Sequence, residues 1–591
     1  MSNFDCLQEK LSHLIPMPNN LPIIYLLGDT GAGKTCIVRQ LLGTTKEKFP
    51  SVRRVRTTVA PTEFIITTEP EFKAAFVLKS EEEVSRYVTE TLEQALMEAD
   101  KVLSEDEGRT DVMEALGDSP DQRFKLRCFL NEAAREKLTN RIVDDLAPRV
   151  RLWVETNFPA ETDRSTAIEL ATECDDIRAH IEKLHAEIMD AIRDQVAAVC
   201  SEPSSTSLPE ASLFSSNSRG EFLQKLKNVL SVDEGSISPV IEKARIRGPL
   251  KSSLLPENTE IVVIDGEGIG HDAKESRVLS ARHLDYFNIS DTIILVEDSE
   301  TPFTRGGKGA LSTVAKNGYL PNLYVAFSRL DKVHTEKEGR EFQRREVDKS
   351  LRNVLRALKD EGVQIPKTEL ECRYFADMDQ MEPDDASKTE LQSLVASIIE
   401  KHAQVKSQFV APSFDFELLE SHLSDATRGL RRDWDDYIQG EVDPAPWQTQ
   451  KAFTNRMSLE KDEYSYLKPV AGFHDHLITG INTFLLRPVD WADEITENHK
   501  GECLQLLTQV VSQRVLEYVR TALVTDRNPK WKSAANLRGT GSTPIRSRQI
   551  LAIIRESAPE PTGENAKQIK DSIKEIIENS INACESGVKL S

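Results

Sequence analysis

The sequence lacks most of the features that mark secreted, membrane-spanning or zinc-binding proteins. Its 8 cysteines include no CxxC pair, and none stands beside a histidine at the spacing of a zinc site. The N-terminal segment has no charged-then-apolar signal pattern. No apolar run approaches the roughly 18 residues of a membrane helix. We therefore expect reduced thiols and a soluble, cytoplasmic protein.

Basic residues are scarce relative to acidic ones, at 75 Lys and Arg against 97 Asp and Glu, so the formal net charge is −22. Proteins that bind nucleic acid neutralise phosphates with Lys and Arg, so no nucleic-acid partner is expected. The same balance disfavours adsorption of the whole surface onto anionic lipid, while a local patch leaves membrane contact undecided. One short basic stretch at 537–548 is compatible with a phosphate, with an acidic partner, or with a solvated turn.

The order of strand and helix signals divides the chain into four segments. Strands alternate with helices in residues 1–79 and again in 258–405, which is typical of a mostly parallel sheet with helices on both faces. Residues 80–257 are mostly helical, and residues 406–591 are helical between turns. We therefore predict an α/β domain, interrupted by a large helical insertion and followed by an all-α C-terminal domain.

Apolar periodicity locates the individual elements. A stripe at three- and four-residue spacing predicts a helix over 176–200, and a Ser- and Pro-rich stretch at 201–220 predicts a mobile linker. Short apolar runs predict strands at 21–27, 62–68, 72–78, 260–264, 292–296, 323–327 and 373–375.

The sharpest motif is GxxxxGK[ST], which follows the first predicted strand and precedes a predicted helix. Its glycines let backbone N–H groups turn inward around a phosphate, where a Cβ would clash. Lys34 can reach the β- and γ-phosphates and act in catalysis, and Thr35 can ligate Mg²⁺, with the positive end of the following helix facing the phosphates. The predicted phosphate-binding residues are Gly28, Asp29, Thr30, Gly31, Ala32, Gly33, Lys34, Thr35 and Cys36.

A second motif, Asp-x-x-Gly, comes directly after the apolar run 261–264. P-loop proteins use a carboxylate at the end of a buried strand to hold Mg²⁺ opposite the loop hydroxyl, so Asp265 is predicted to serve the metal. Gly268 can swing its N–H toward the γ-phosphate. His271 and Glu267 are both candidates to position the attacking water, the alternative for the histidine being an ordinary polar loop residue.

The segment Ser328-Arg329-Leu330-Asp331 follows another predicted strand. It resembles the base-reading motif of P-loop GTPases, which is Asn or Thr, then Lys, any residue, and Asp. The resemblance implies that Asp331 accepts hydrogen bonds from the ring N–H and the amino group of guanine, a donor pattern that adenine lacks. Arg329 can lay its planar guanidinium on the base face, and Ser328 keeps a hydroxyl of shorter reach. The alternative is an ATPase in which this segment is a coincidence.

Two further segments complete the predicted site. A threonine before the second strand would close over Mg²⁺ and the γ-phosphate; Thr57 and Thr58 both qualify, and Thr58 is favoured. Either residue is equally compatible with a plain strand end. After the last predicted strand, a backbone N–H of the segment Phe375-Ala376 would pack under the base.

The order of these motifs resembles the translation-factor-related class of P-loop GTPases, and within it the dynamin-like and guanylate-binding large GTPases. The string DGEGIG at 265–270 is similar to the DTEGLG of guanylate-binding proteins. The resemblance implies a P-loop GTPase domain that takes GTP as substrate and Mg²⁺ as cofactor and releases GDP. It also implies conformational change or self-assembly through helical regions, with a homodimer or other homo-oligomer forming on nucleotide binding.

Two alternatives stay open for how hydrolysis is used. The chain is either an enzyme whose site is completed by a second copy, or a slow nucleotide switch whose helical arms hold a partner protein. Candidate cations for completing the site are Arg53, Arg54, Arg56, Arg305 and Lys308. No apolar or basic tip is evident in the helical regions, so the sequence does not predict membrane remodelling.

Overall fold

The structure is a computed structural model. It describes residues 3–44, 60–102, 109–116, 124–159, 164–200, 207–269, 278–304, 306–335, 339–404, 408–440, 444–538 and 541–587. Several residues singled out from the sequence lie outside these ranges, namely Thr57, Thr58, His271, Arg305, Arg53, Arg54 and Arg56.

A sheet of nine strands organises the described part of the chain, in the order β4-β3-β5-β2-β6-β1-β7-β8-β9. The strands are β1 (Ile23–Leu27), β2 (Thr62–Ile66), β3 (Phe72–Leu78), β4 (Ala211–Ser216), β5 (Ile241–Gly248), β6 (Ile261–Asp265), β7 (Thr292–Asp298), β8 (Leu323–Ser328) and β9 (Glu371–Tyr374). Strand β1 runs parallel to β6 and β7, β8 parallel to β7 and β9, and β2 parallel to β5. The β2–β6, β3–β4 and β3–β5 pairs are antiparallel. The predicted α/β class with a mostly parallel sheet is confirmed.

Helices cover the sheet and extend beyond it. They are α1 (Asn3–Leu14), α2 (Lys34–Leu42), α3 (Glu81–Val102), α4 (Arg109–Ala115), α5 (Glu132–Arg141), α6 (Ala147–Asn157), α7 (Arg164–Ala171), α8 (Asp175–Cys200), α9 (Arg219–Leu230), α10 (Ala281–Ile289), α11 (Gly307–Lys316), α12 (Arg340–Asp360), α13 (Asp385–Ala403), α14 (Leu419–Gln439), α15 (Trp447–Ser458), α16 (Pro469–Leu485), α17 (Glu497–Arg520), α18 (Asn528–Ala535), α19 (Ser542–Ser557) and α20 (Glu564–Ser586). Among the described residues, no helix is long and apolar enough to cross a membrane.

The two faces of the sheet build two separate cores, because successive side chains of a strand point to opposite sides. On one face, residues such as Tyr25 and Leu27 pack with α1, α10, α11 and α12, and this core continues into helices α14 to α20. On the other face, residues such as Ile24 and Leu26 pack with α2, α9 and α13 and with the helices of the insertion. The insertion and the C-terminal region therefore each share a core with the sheet.

The middle segment contributes more to the sheet than the sequence predicts. Strand β5 lies inside residues 80–257, yet it sits between β2 and β3. Its sequence, IEKARIRG, carries charges that hide it from apolar periodicity. Two of these charges are buried against one carboxylate, since Lys243 Nζ lies 2.9 Å and Arg245 Nε 2.6 Å from Glu63. Strand β4 lies inside the stretch 201–220 that was predicted as a linker; at the sheet edge, its serines stay partly exposed.

The basic stretch at 537–548 is solvated only in part, since Arg538 and Arg548 are exposed. Helix α19 begins within it, and the Arg546 side chain is fully buried. The guanidinium donates to the carbonyls of Ala534, at 3.4 Å, and Leu537, at 3.0 Å. It also lies 3.9 Å from Glu169 of the insertion, so this arginine joins two parts of the chain.

Candidate functional site

The loop between β1 and α2 takes the backbone course that its glycines allow. Gly28 has a φ of 147°, and a Cβ placed there would lie 2.3 Å from the Val296 carbonyl oxygen of the neighbouring strand. Gly33, at a φ of 101°, leads directly into α2. Strand β1, this loop and helix α2 follow one another along the chain, and the loop lies at the carboxyl end of β1, where ligands bind in open parallel sheets.

The Lys34 side chain folds back into this loop. Its ammonium donates to the Gly28 carbonyl at 2.7 Å and to the Asp29 carbonyl at 2.9 Å. Cys36 was also predicted to bind phosphate. It lies in the first turn of α2, and its N–H donates to the Gly33 carbonyl at 3.0 Å. Burial raises the pKa of the Cys36 thiol, so it is uncharged at neutral pH. The loop carbonyls thus hold the charged Lys34 ammonium, whereas the Cys36 thiol is neutral.

Thr35 and Asp265, two of the three predicted metal ligands, lie side by side. The Thr35 hydroxyl donates to Asp265 Oδ2 at 3.0 Å, and both residues are buried. The contact follows from topology, because β1 and β6 are parallel and pair Leu26 with Asp265 at their carboxyl ends. A hydroxyl and a carboxylate are the hard oxygen donors that Mg²⁺ takes, so this pair fits the predicted metal.

Gly268 packs directly on the predicted phosphate loop, which is the loop 28–33 between β1 and α2. A Cβ placed on Gly268 would lie 2.1 Å from the Thr30 hydroxyl oxygen. The next residue, Ile269, donates its N–H to the Gly28 carbonyl at 3.2 Å. The Asp-x-x-Gly segment and this loop are therefore in contact, and a side chain at position 268 would force Thr30 to shift.

The end of β8 is tied to the same loop. The Ser328 hydroxyl donates to the Ala32 carbonyl at 2.6 Å, and both residues are buried. Arg329, which follows, has a positive φ of 54°, a conformation that costs a non-glycine residue free energy and marks a position held by its surroundings. Its guanidinium lies 2.5 Å from Asp298 at the end of the neighbouring strand β7.

Asp331 faces the loop that follows β9. Its Oδ1 accepts the Asp377 N–H at 3.1 Å, and its Oδ2 lies 3.0 Å from Lys332. Burial is the largest cause that raises the pKa of Asp377, and the negative charge of Asp331 raises it further. In the segment Phe375-Ala376, where a backbone N–H was predicted to pack under the base, the Phe375 N–H donates to the Phe327 carbonyl at 2.7 Å and the Ala376 N–H to the Ser387 hydroxyl at 2.8 Å. This contact was not predicted, because Ser387 belongs to a different element, helix α13.

Helix α2 also fixes the loop after β9. The Arg39 side chain is 2% exposed and donates to the Asp379 carbonyl at 3.3 Å. Gln40 donates to the carbonyls of Met378, at 3.1 Å, and Gln380, at 2.9 Å. One helix therefore aligns the phosphate loop at its start with the loop that faces Asp331.

Two acidic residues at the end of β7 belong to this site and were missed. Asp298 contacts Arg329, and Glu297 accepts the Phe303 N–H at 2.8 Å. Burial raises the pKa of Glu297 to about 8. The loop after β7 is held from the other side by Asp29, whose carboxylate accepts the Gly306 N–H at 3.1 Å. Acidic residues directly after an apolar strand run were the signal available in the sequence.

Lys308, one of the candidate cations for completing the site, lies at the start of α11. Its ammonium is paired with Glu361, which follows the end of α12. The other candidates are outside the described residues. The structure therefore places this one candidate in a surface ion pair within its own chain.

Glu267 of the Asp-x-x-Gly segment is engaged by an arginine of α10. Its carboxylate lies 2.5 Å from Arg282, whose guanidinium also lies 3.2 Å from Glu242 on β5. Glu242 in turn lies 3.0 Å from Lys461 of the C-terminal region, and Lys461 lies 3.2 Å from Glu83 of α3. A candidate for positioning water is thus tied into a chain of ion pairs that crosses the molecule.

A second ion pair ties α10 to the C-terminal region. Arg520 of α17 lies 2.9 Å from Asp285 of α10 and 2.9 Å from Asp462. Burial raises the pKa of Asp285 to about 7. A cavity of about 680 Å³ adjoins both ion pairs and is lined by residues of α1, α3, α10 and α15. Helix α10 is therefore the element through which the Asp-x-x-Gly segment meets the helical regions.

Comparisons with known proteins assign no family to the chain. No protein-family model matches it, and no curated protein matches it. Two matching solved chains come from an oligomerised bacterial dynamin pair, described as a mechanism for the long-range sensing and tethering of membranes. The first is 11% identical with a TM-score of 0.30, covering 98% of this chain and 72% of that chain. The second is 11% identical with a TM-score of 0.28, covering 98% and 76%. Likeness at this level assigns neither family nor function.

Proposed function

We propose that the chain binds GTP and hydrolyses it with Mg²⁺, as a large GTPase. The observation that carries the proposal is the meeting of separate motifs at one sheet edge. Thr35 lies 3.0 Å from Asp265, and Ser328 lies 2.6 Å from the Ala32 carbonyl, although the sequence places these pairs far apart. Chance motif matches would not be expected to share an edge.

In this proposal the loop residues hold the phosphates. Lys34 exchanges its two carbonyl partners for phosphate oxygens, which accept charge-assisted hydrogen bonds more strongly. The N–H groups at the start of α2 add partial positive charge. Asp331 accepts hydrogen bonds from the guanine edge, and Arg329 stacks on the base. GDP is released after the β–γ bond is cleaved.

Thr35 and Asp265 would hold the Mg²⁺ ion, which neutralises charge on the phosphate oxygens when bound. Asp265 is buried beside the hydroxyl and has a carboxylate to offer to the metal or to its waters. Thr58 remains the proposed switch residue, and His271 the proposed water-positioning residue. Both lie outside the described residues.

Nucleotide-driven movement of the helical regions is part of the proposal. A movement of Gly268 and Glu267 would displace the partner of Arg282, which is the second residue of α10. The same helix is paired with Arg520 of α17, and Glu242 links Arg282 to Lys461. The ion pairs supply a physical route from the Asp-x-x-Gly segment to the C-terminal region.

Turnover and base competition test the proposal together. Purified chain is assayed for phosphate release from GTP and from ATP with Mg²⁺, beside Lys34→Ala, in which the phosphate-facing charge is removed. We expect GTP turnover that Lys34→Ala loses and that ATP does not match. Equal use of ATP and GTP would favour the ATPase alternative, and unchanged turnover in Lys34→Ala would overturn the site itself.

The same assay across a hundredfold range of protein concentration separates the two modes of action. Specific activity that rises with concentration, with dimers forming on a GTP transition-state mimic, supports completion of the site by a second copy. Slow and constant activity from a monomer supports a switch that awaits a partner protein.

A further inference from the structure

Arg329 stands where the GTPase base-reading motif has lysine, and its guanidinium forms an ion pair with Asp298. We propose that Asp298 is a positioning residue for base recognition: it fixes the plane of the Arg329 guanidinium so that one face is presented to the guanine ring. This inference rests on the proposed GTP-binding function and extends it to a residue outside every motif of the sequence.

The backbone brings the two residues together. Strands β7 and β8 are parallel, and Asp298 pairs in register with Ser328, the residue before Arg329. Ser299 also donates its N–H to the Ser328 carbonyl at 3.0 Å, which continues the ladder past the ends of both strands. Arg329 then turns to a φ of 54°, and its side chain runs back beside Asp298.

The carboxylate is itself fixed in place. Asp298 Oδ1 accepts the Glu300 N–H at 3.0 Å, which leaves Oδ2 to receive the Arg329 Nη1 at 2.5 Å. The Asp298 side chain is 23% exposed and that of Arg329 is 42% exposed, so the pair is partly shielded from water. A carboxylate bound to the backbone makes a rigid support for a flexible arginine.

The chemistry explains why arginine needs such a support and lysine does not. A lysine ammonium is a compact charge that works in any rotation, whereas a guanidinium stacks only when its plane is aligned with the ring. A carboxylate that accepts a hydrogen bond from the guanidinium in that plane restricts its orientation and leaves both faces free. In this chain, the arginine of the motif thus has its support in an acid at the end of the adjacent strand.

The test compares nucleotide affinity in the full chain. Asp298→Asn keeps the size and the acceptor for Glu300 but loses the charge that holds Arg329. We expect binding of fluorescent GTP and GDP to weaken by roughly tenfold each, since both carry the same base. KM for GTP should rise by a similar factor while kcat stays within about twofold. Glu300→Gln removes a neighbouring charge that does not touch Arg329, and should match wild type.

A double-mutant cycle separates positioning from a structural role. In an Arg329→Ala background, Asp298→Asn should change GTP affinity by less than about twofold, because the residue that it positions is gone. Arg329→Lys provides a second background: a lysine needs no fixed plane, so Asp298→Asn should change GTP affinity by less than about twofold there as well.

Three results would overturn the inference. They are wild-type affinity in Asp298→Asn, an undiminished effect of Asp298→Asn in the Arg329→Ala background, or an undiminished effect of Asp298→Asn in the Arg329→Lys background. Failure of wild type to bind GTP in the same assay would instead overturn the proposed function, and the inference with it.

Discussion

The hydroxyl of Ser328 donates a hydrogen bond to the Ala32 carbonyl at 2.6 Å, so the segment predicted to read the base is joined to the loop predicted to hold the phosphates. A GTPase needs these two parts at a fixed separation, because one ligand spans both. Serine has a shorter side chain than the asparagine of the family motif, and Gly33 makes room for it: a Cβ placed there would lie 3.0 Å from the Ser328 hydroxyl.

Replacing Ser328 with Ala should weaken GTP and GDP binding together. The Ala32 carbonyl would lose a buried partner, which costs about 1 kcal/mol or roughly fivefold in affinity. Titration with a fluorescent guanine nucleotide measures the change. Ser299→Ala is the matched control, since Ser299 is also buried at a strand end but its hydroxyl has no hydrogen-bond partner among the described residues. Equal affinities in the two variants would contradict the role given to Ser328.

Replacing Asp265 with Ala should act on the metal rather than on the nucleotide. We expect the Mg²⁺ concentration for half-maximal turnover to rise by roughly 10- to 100-fold, while GTP affinity without Mg²⁺ stays close to wild type. Thr35→Val should behave in the same way, and Thr35→Ser should retain activity because it keeps the hydroxyl. Normal Mg²⁺ dependence in Asp265→Ala would show that the metal is held by other residues.

Replacing Arg282 with Gln should separate nucleotide binding from movement of the helical regions. The variant loses the cation that joins Glu267 to Glu242, while the phosphate loop is untouched. We measure hydrogen exchange of α15 and α17 with and without a GTP analogue. The analogue should change the exchange in wild type and in the control Arg345→Gln, but not in Arg282→Gln. Arg345 is in an exposed pair with Glu341 of the same helix. A wild-type response in Arg282→Gln would remove this ion pair from the proposed route.

Because of Glu297, the free energy of unfolding should fall as the pH rises above the acidic range. Its ordinary pKa is 4.5 and burial raises it to about 8, so the folded chain binds this proton more tightly than the unfolded chain. The associated stability is present below the ordinary value and is lost as pH rises through the folded value. Chemical denaturation at several pH values across this window should show a flatter slope in Glu297→Gln than in wild type or Glu300→Gln. An identical slope in all three would exclude Glu297 as the source.

The residues explain which parts of the fold could be predicted from sequence. Strands β1, β6, β7 and β8 are nearly continuous apolar runs buried on both faces, and each was predicted to within two residues of its described bounds. Strand β5 was missed because Glu242, Lys243 and Arg245 lie within it. Their burial depends on carboxylates and cations from other strands and from the C-terminal region, which no local pattern contains.

In the candidate site, too, some features could be predicted from sequence and others could not. The Thr35–Asp265 pair was predictable because each residue belongs to a motif with its own strand. Asp298 and Arg282 belong to no motif, and their importance comes from partners that lie on other elements. Arg546 was read as part of a solvated or ligand-facing stretch, whereas two carbonyls and Glu169 surround it in the fold. Pairings of this kind are decided by tertiary contacts.

The most direct test of the central claim is a change of base preference at Asp331. Asparagine at this position can donate to the carbonyl that xanthine carries in place of the guanine amino group, so Asp331→Asn should lose affinity for GTP and gain it for xanthosine triphosphate. Equilibrium titration of wild type and variant with GTP, xanthosine triphosphate and ATP in Mg²⁺ measures the exchange. We expect wild type to prefer GTP and the variant to prefer xanthosine triphosphate. A wild type that binds ATP as well as GTP, or a variant with unchanged preference, would contradict it.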